Sequence, residues 1–169
     1  GQVETIAAER VLVAVGHRPR TEGLGLEALG VQMAGDFITV NGTMQTNVPG
    51  VYAIGDCVPT LPLAHVASAE GVLAVEHIAG REVEALNYDQ VPRCTYSRPE
   101  VASIGLSEEE AVRRGYRVQV GRFPFKNIAR ATVLGESEGL VKIVADARYD
   151  EILGVHLVGP QATELIAEA

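Results

Sequence analysis

Thr46-Asn47-Val48-Pro49-Gly50-Val51-Tyr52-Ala53-Ile54-Gly55-Asp56 decides how the rest of the chain is read. Val48-Pro49-Gly50 is turn chemistry leading into Val51-Tyr52-Ala53-Ile54, a short apolar run with the signature of a buried strand, and Gly55-Asp56 stops it. From Ala64 to Ala79 good helix formers follow without a proline, and Gly80 supplies a helix stop. Strand, loop and helix in that order define an α/β unit, and open α/β sheets bind cofactors at the carboxyl ends of their strands. Taken alone, Asp56 reads two ways. It is a turn-capping aspartate, or it is a carboxylate that accepts a hydrogen bond from a sugar or sugar-alcohol hydroxyl, with Gly55 allowing close approach. The helix start near Ala64 aims unpaired amides and a positive dipole end toward the same place, which suits developing negative charge and eases reduction of an electron-accepting ring. On its own, His65 at that helix start reads as a capping or surface histidine.

Toward the amino terminus, Arg10-Val11-Leu12-Val13-Ala14-Val15 is an apolar run ending at Gly16, as expected for a strand buried on both faces. Such a strand needs neighbours and covering helices that the nine residues before it cannot supply, so the expectation is that something upstream is missing. Gly16, ahead of His17-Arg18-Pro19, marks either a plain strand terminus or close approach of backbone to a ligand. Phe37-Ile38-Thr39-Val40 lies between the turn signals Gly35-Asp36 and Asn41-Gly42 and fits a small antiparallel excursion.

Toward the carboxyl terminus the pattern changes near Val91-Pro92 to alternating strands, which sets a domain boundary there. Ser107-Glu108-Glu109-Glu110 reads as a capping box, with Gly115 ending the short helix. Helix-start chemistry accounts for this acidic cluster, and no catalysis is assigned to it. Arg117 to Phe123 alternates polar and apolar residues, while Leu140 to Ala145 and Ile152 to Val158 form an expected antiparallel hairpin. Gly159-Pro160 breaks the strand. Ala162 to Ala169 begins a helix without a stop signal, so the carboxyl end also reads as cut.

With 47% hydrophobic and 21% charged residues, the 169-residue chain can bury a substantial core. Twenty-two acidic against 14 basic side chains give a formal charge of −8, no footprint for nucleic acid or an anionic membrane surface. No apolar run approaches the roughly 20 residues of a membrane helix, and Gly1-Gln2-Val3-Glu4 lacks signal-peptide character. A soluble, cytoplasmic protein is expected. Cys57 and Cys94 belong to no CxxC pattern and read as structural thiols rather than a zinc site or redox pair. His17, His77 and His156 have no partner at metal-ligand spacing, and no metal site is expected. GxSxG, GxxxxGK[ST] and GxGxxG are all absent, so neither a serine hydrolase nor a phosphate-loop enzyme is supported.

The order of segments resembles that of the pyridine-nucleotide disulfide oxidoreductases. Val13-Ala14-Val15-Gly16-His17-Arg18-Pro19 is similar to the close of their nicotinamide-binding domain, and Thr46 to Asp56 resembles their second flavin-binding motif. Leu63-Ala64-His65 is similar to the loop and helix start that meets the flavin ring in the dihydrolipoamide dehydrogenases. Arg98-Pro99-Glu100-Val101-Ala102-Ser103-Ile104-Gly105 resembles the opening of the family's interface domain. Ile152 to Pro160, with Thr163-Glu164-Leu165-Ile166, resembles its later part. Glutathione and mercuric reductases share the architecture, but residues 63–65 and 159–166 favour the dihydrolipoamide members.

The resemblance implies an end of the NAD-binding domain over residues 1–18, a second segment of the FAD-binding domain over 19–90, and an α+β interface domain over 91–169. It implies FAD and NAD as cofactors, with Asp56 on the flavin ribityl chain, Pro62, Leu63, Ala64 and His65 along the isoalloxazine edge, and Gly16 at the nicotinamide nucleotide. Pro62 stands where the family usually has methionine and Val66 where it usually has lysine. A homodimer through the interface domain is implied, with dihydrolipoamide carried on an acyltransferase or carrier protein of a 2-oxoacid dehydrogenase or glycine cleavage complex. The family also uses an amino-terminal GxGxxG, a nearby redox cysteine pair, and a histidine and glutamate near its carboxyl terminus. None of these is among the 169 residues, so the expectation is a carboxyl-terminal portion with no catalytic residues, silent by itself. Two other readings stand beside it: a related flavin reductase with another disulfide substrate, and a free-standing dimerisation or docking module.

Overall fold

The computed structural model describes residues 3–169, so Gly1 and Gln2, at the head of the expected segment 1–18, lie outside the described residues. The chain divides into two compact units, Gly1–Leu86 and Asn87–Ala169.

The first unit is built on turns rather than long strands. β1 (Met33–Ala34) and β2 (Phe37–Ile38) form a two-residue antiparallel pair, the excursion expected around residue 37. Thr46 organises the next turn: its hydroxyl accepts from the Val48 amide at 3.1 Å and donates to the Val51 carbonyl at 3.0 Å. Asn47 reaches back, accepting from the Gln32 amide at 2.7 Å and donating to the Gly30 carbonyl at 2.8 Å. These bonds satisfy backbone groups that no sheet pairs, and they draw Val31, Ile38, Ala53 and Val58 into one small core. α1 (Ala64–Ile78) then packs Leu73 and Ala74 against Met44. It ends where Gly80, at φ 75°, donates to the His77 carbonyl at 2.9 Å.

Two expected buried strands are not there. Arg10 to Val15 carries no strand and is exposed, Leu12 by 89%. Val51 to Ile54 is extended but makes only a single bridge, Gln45 to Tyr52. The physical reason is pairing, since a strand exists through hydrogen bonds to its neighbours. Val51 to Ile54 meets only the short stretch 44–46, through Thr46 N to the Val51 carbonyl at 2.9 Å and Ala53 N to the Met44 carbonyl at 3.1 Å, and among the described residues Arg10 to Val15 pairs with no strand.

The second unit is a five-stranded antiparallel sheet in the order β3-β4-β7-β6-β5, made of β3 (Arg93–Thr95), β4 (Glu100–Gly105), β5 (Val118–Pro124), β6 (Leu140–Asp146) and β7 (Glu151–Gly159). The hairpin expected from residues 140–158 is β6–β7, irregular in register at Val144/Ala145. α2 (Glu108–Arg113) is capped by Ser107, whose hydroxyl accepts from the Glu110 amide at 3.1 Å. The reciprocal half of the expected capping box is replaced, because the Glu110 carboxylate pairs with Arg113 and Arg114. α2 covers one sheet face through Ala111, Leu106 and Val144. α4 (Ala162–Leu165) covers the other, where Ala162 and Ile166 meet Ala102, Val155 and Leu157. α3 (Ala129–Leu134) joins β5 to β6 and closes on Gly135 in the left-handed region, at φ 70°.

Candidate functional site

Extended backbone runs through Ile54 to Gly55, where φ turns to 74°, and a single turn of 3-10 helix, Gly55–Cys57, follows. A Cβ on Gly55 would lie 3.3 Å from the Ala67 Cβ, so the turn rests directly on α1. Gly55 is buried while Asp56 is exposed, which leaves its carboxylate facing outward from a rigid seat. The loop returns through Val58, 1% exposed, to Leu63. Leu63 is the extended residue before α1, and no side chain caps the helix start there. Pro62, Ala64 and His65 are exposed and Leu63 is half-buried.

An outward carboxylate and an uncapped helix start therefore belong to one body, because the Gly55–Cys57 turn packs on the helix that carries residues 64–65. This donor set fits a flavin: a carboxylate to accept from a ribityl hydroxyl, and backbone N–H groups at a positive dipole end for an electron-rich ring edge. Gly16 stands elsewhere, in the extended segment, at φ 74° with nothing within 4 Å of a Cβ. That segment is tied to the β1–β2 turn. Arg18 Nε donates to Asp36 Oδ2 at 2.6 Å, and His17 meets the Phe37 ring edge-on at 5.6 Å. The Arg18 guanidinium holds the Asp36 carboxyl below its usual range.

The remaining histidines and cysteines are structural in their contacts. Tyr52 Oη and His77 Nδ1 are 2.8 Å apart, and His156 Nε2 lies 3.0 Å from the Leu106 carbonyl. Cys57 Sγ donates to the Ile54 carbonyl at 3.2 Å, and burial pushes its thiol up. Both cysteines are free. Among the described residues no group of three His, Cys, Asp or Glu could hold a metal ion, and no helix is long and apolar enough to cross a membrane.

Sequence reasoning passed over Glu70. It is fully buried, and its Oε2 accepts from the Gly55 amide at 2.7 Å. The signal was present: Val66, Glu70, Leu73 and Ala74 fall at helical spacing on the buried stripe of α1, so a carboxylate there required a partner.

A glycine-aspartate turn seated on a helix start, followed by a five-stranded antiparallel domain, is the arrangement expected of the second flavin segment and interface domain of a disulfide oxidoreductase. Comparison with known families agrees. Residues 1–71 match the model of pyridine nucleotide-disulphide oxidoreductases, and residues 91–169 match the dimerisation domain of the same family. The chain belongs to the pyridine nucleotide-disulphide oxidoreductase family. Its whole length aligns with dihydrolipoyl dehydrogenases, at 49% identity with that of Bacillus subtilis and 55% with that of Thermus scotoductus. The chain spans 36% of the length of each of these relatives. Among solved structures, LpdA from Mycobacterium tuberculosis superposes on 91% of the chain and 34% of its own, with a TM-score of 0.85 and 34% identity. The HOCl-induced flavoprotein disulfide reductase RclA from Escherichia coli, 24% identical over 91% of this chain and 36% of its own, has a TM-score of 0.81 and shares the fold.

Proposed function

We propose that this chain supplies the second flavin-binding segment and the dimerisation domain of an FAD-dependent dihydrolipoamide:NAD+ oxidoreductase. The observation that carries the reading is the seating of Asp56 and the helix start of residues 62–65 on one helix. Together they present an acceptor for a sugar-alcohol hydroxyl beside donors for a ring edge. Bound FAD supplies the electron relay between a dithiol substrate and NAD+. The chain's own residues bind and orient it: Asp56 holds the ribityl chain, Pro62, Leu63, Ala64 and His65 border the ring, and the α1 dipole favours negative charge at that edge. Gly16 gives the nicotinamide nucleotide close backbone approach. The domain boundaries follow as 1–18 for the end of the NAD domain, 19–90 for the flavin segment and 91–169 for the interface domain, which pairs with a second copy. The substrate is lipoyl groups carried on an acyltransferase or carrier protein of a 2-oxoacid dehydrogenase or glycine cleavage complex, met in the cytoplasm.

The residues that exchange electrons with the dithiol are not among these 169, so turnover belongs to an intact enzyme carrying this segment. In that enzyme, FAD absorbance and dihydrolipoamide-dependent NAD+ reduction are expected. Asp56→Ala is expected to weaken FAD binding by about 1.5–3 kcal/mol, the worth of a charge-assisted hydrogen bond, roughly a ten- to hundredfold rise in dissociation constant. Unchanged flavin affinity in this variant would remove Asp56 from the site.

A further inference from the structure

We propose that Glu70 is a positioning residue of the flavin site: its buried carboxylate anchors the Gly55–Asp56 turn to α1 and so fixes Asp56 relative to the helix start. The inference rests on the flavin reading of Asp56 given above.

Glu70 is 0% exposed, six residues into α1. An apolar residue would fill this position at no desolvation cost, since Val66, Leu73 and Ala74 on the same stripe do so. The carboxylate accepts instead from the Gly55 amide, Oε2 to N 2.7 Å. Gly55 can aim that amide inward because it adopts φ 74°. Its carbonyl is occupied as well, accepting from the Val58 amide at 3.0 Å. Gly71 completes the fit, as a Cβ there would lie 3.3 Å from Ile54 Cδ1. Three successive contacts, at Ala67, Glu70 and Gly71, therefore hold Ile54 and Gly55 against one helix, and only the one at Glu70 is directional. The Cys57 thiol feels both carboxylates. Burial is the main cause of its upward shift, and the charges of Glu70 and Asp56 add to it.

Because Asp56 follows Gly55 directly, loss of the anchor frees the turn while α1 stays helical. The two halves of the flavin contact then lose their fixed spacing, and affinity falls although no residue touching flavin has changed.

The test measures FAD dissociation constants and the flavin absorbance spectrum in the intact flavoenzyme that carries this segment, with thermal unfolding of each apoprotein alongside. Glu70→Gln keeps an acceptor for the Gly55 amide and is expected to bind FAD within about threefold of wild type. Glu70→Met keeps the volume, loses the acceptor, and is expected to raise the dissociation constant about tenfold. In an Asp56→Ala background the same Glu70→Met change is expected to cost less than about twofold, since nothing remains to be misplaced. Fully multiplicative losses, or wild-type affinity in Glu70→Met while Asp56→Ala is weakened, overturn the positioning role and leave the flavin reading intact. An Asp56→Ala variant that binds normally overturns the flavin reading itself. Should Glu70→Met not fold, Gly55→Ala, which disturbs the amide end of the same bond, takes its place in the comparison with the same expected losses.

Discussion

At the start of β4, Glu100 Oε2 accepts from the Thr163 amide at 3.0 Å and from the Thr163 hydroxyl at 2.7 Å, joining residues 63 apart in sequence at the first turn of α4. Hydrogen bonds to the ionised form favour it, so the Thr163 hydroxyl, then its amide, hold the Glu100 carboxyl below its ordinary value of 4.5. A folded-state value below the unfolded one means that the clip contributes fully above the unfolded value, and that the contribution disappears as pH falls through the folded value. The Thr163 amide resonance, followed by NMR, is therefore expected to titrate with a midpoint below 4.5 and to lose that titration in Glu100→Ala. A midpoint at or above 4.5 would mean that the clip does not hold in solution. This bond was illegible in sequence because its partners meet only once β4 and β7 pair. The Gly55–Asp56 turn ahead of α1 was legible because an apolar run, a glycine and a helix start lie within twenty residues. Glu70 was legible in principle, as a charge on an apolar helical stripe, but its partner is a backbone amide that no side-chain pattern announces.

Elements whose stabilising contacts are local follow their sequence signals closely. Ser107 caps α2, Gly115 ends it at φ 86°, and β6–β7 pair across a short turn, each as its residues predict. Elements whose partners lie far away in sequence do not: Arg10 to Val15 has the composition of a buried strand and is exposed, since composition specifies a tolerance for burial rather than a partner. Between these extremes is the β4–β7 crossing, where Gly105 and Gly154 face each other in register. A Cβ on Gly154 would lie 2.2 Å from the Leu106 carbonyl oxygen, and one on Gly105 would lie 2.2 Å from that of Leu153. Both obstacles are backbone, adjoining the Leu106 to Leu153 hydrogen bond of 2.8 Å, and cannot rotate away. Gly154→Ala is expected to cost the second unit about 3 kcal/mol, seen as a lower denaturation midpoint at unchanged slope. Gly121→Ala, with nothing within 4 Å, is the matched control and should leave the midpoint nearly unmoved.

The two units differ in what they ask of surfaces beyond themselves, and this decides which can stand alone. In residues 87–169 all five strands pair antiparallel with one another, both sheet faces carry a covering helix, and Ala102, Ala111, Val144 and Ala162 are fully buried. Hairpin connections keep most of its pairings close in sequence, which lowers the entropy of forming them. Among its described residues the first unit has only two-residue strands, and Val3, Ile6, Val11, Leu12, Val13 and Val15 are each more than three-quarters exposed. α1 adds Val72, Val75 and Ile78, each at least 61% exposed on the side away from its core. An apolar helix with two greasy sides is the pattern of an element packed within a larger domain. A polypeptide of residues 87–169 is accordingly expected to unfold in one cooperative thermal transition, with coincident far-ultraviolet and near-ultraviolet signals, while 1–86 melts without cooperativity and binds an apolar dye. The second unit also leaves Tyr96, Phe123 and Val133 more than half exposed, and it matches the family's dimerisation domain. Its transition should therefore rise in temperature with protein concentration, as mass action requires of a self-associating fold. A cooperative transition independent of concentration would locate the dimer contact outside these residues. A broad, non-cooperative melt would show that the sheet itself depends on the partner surface.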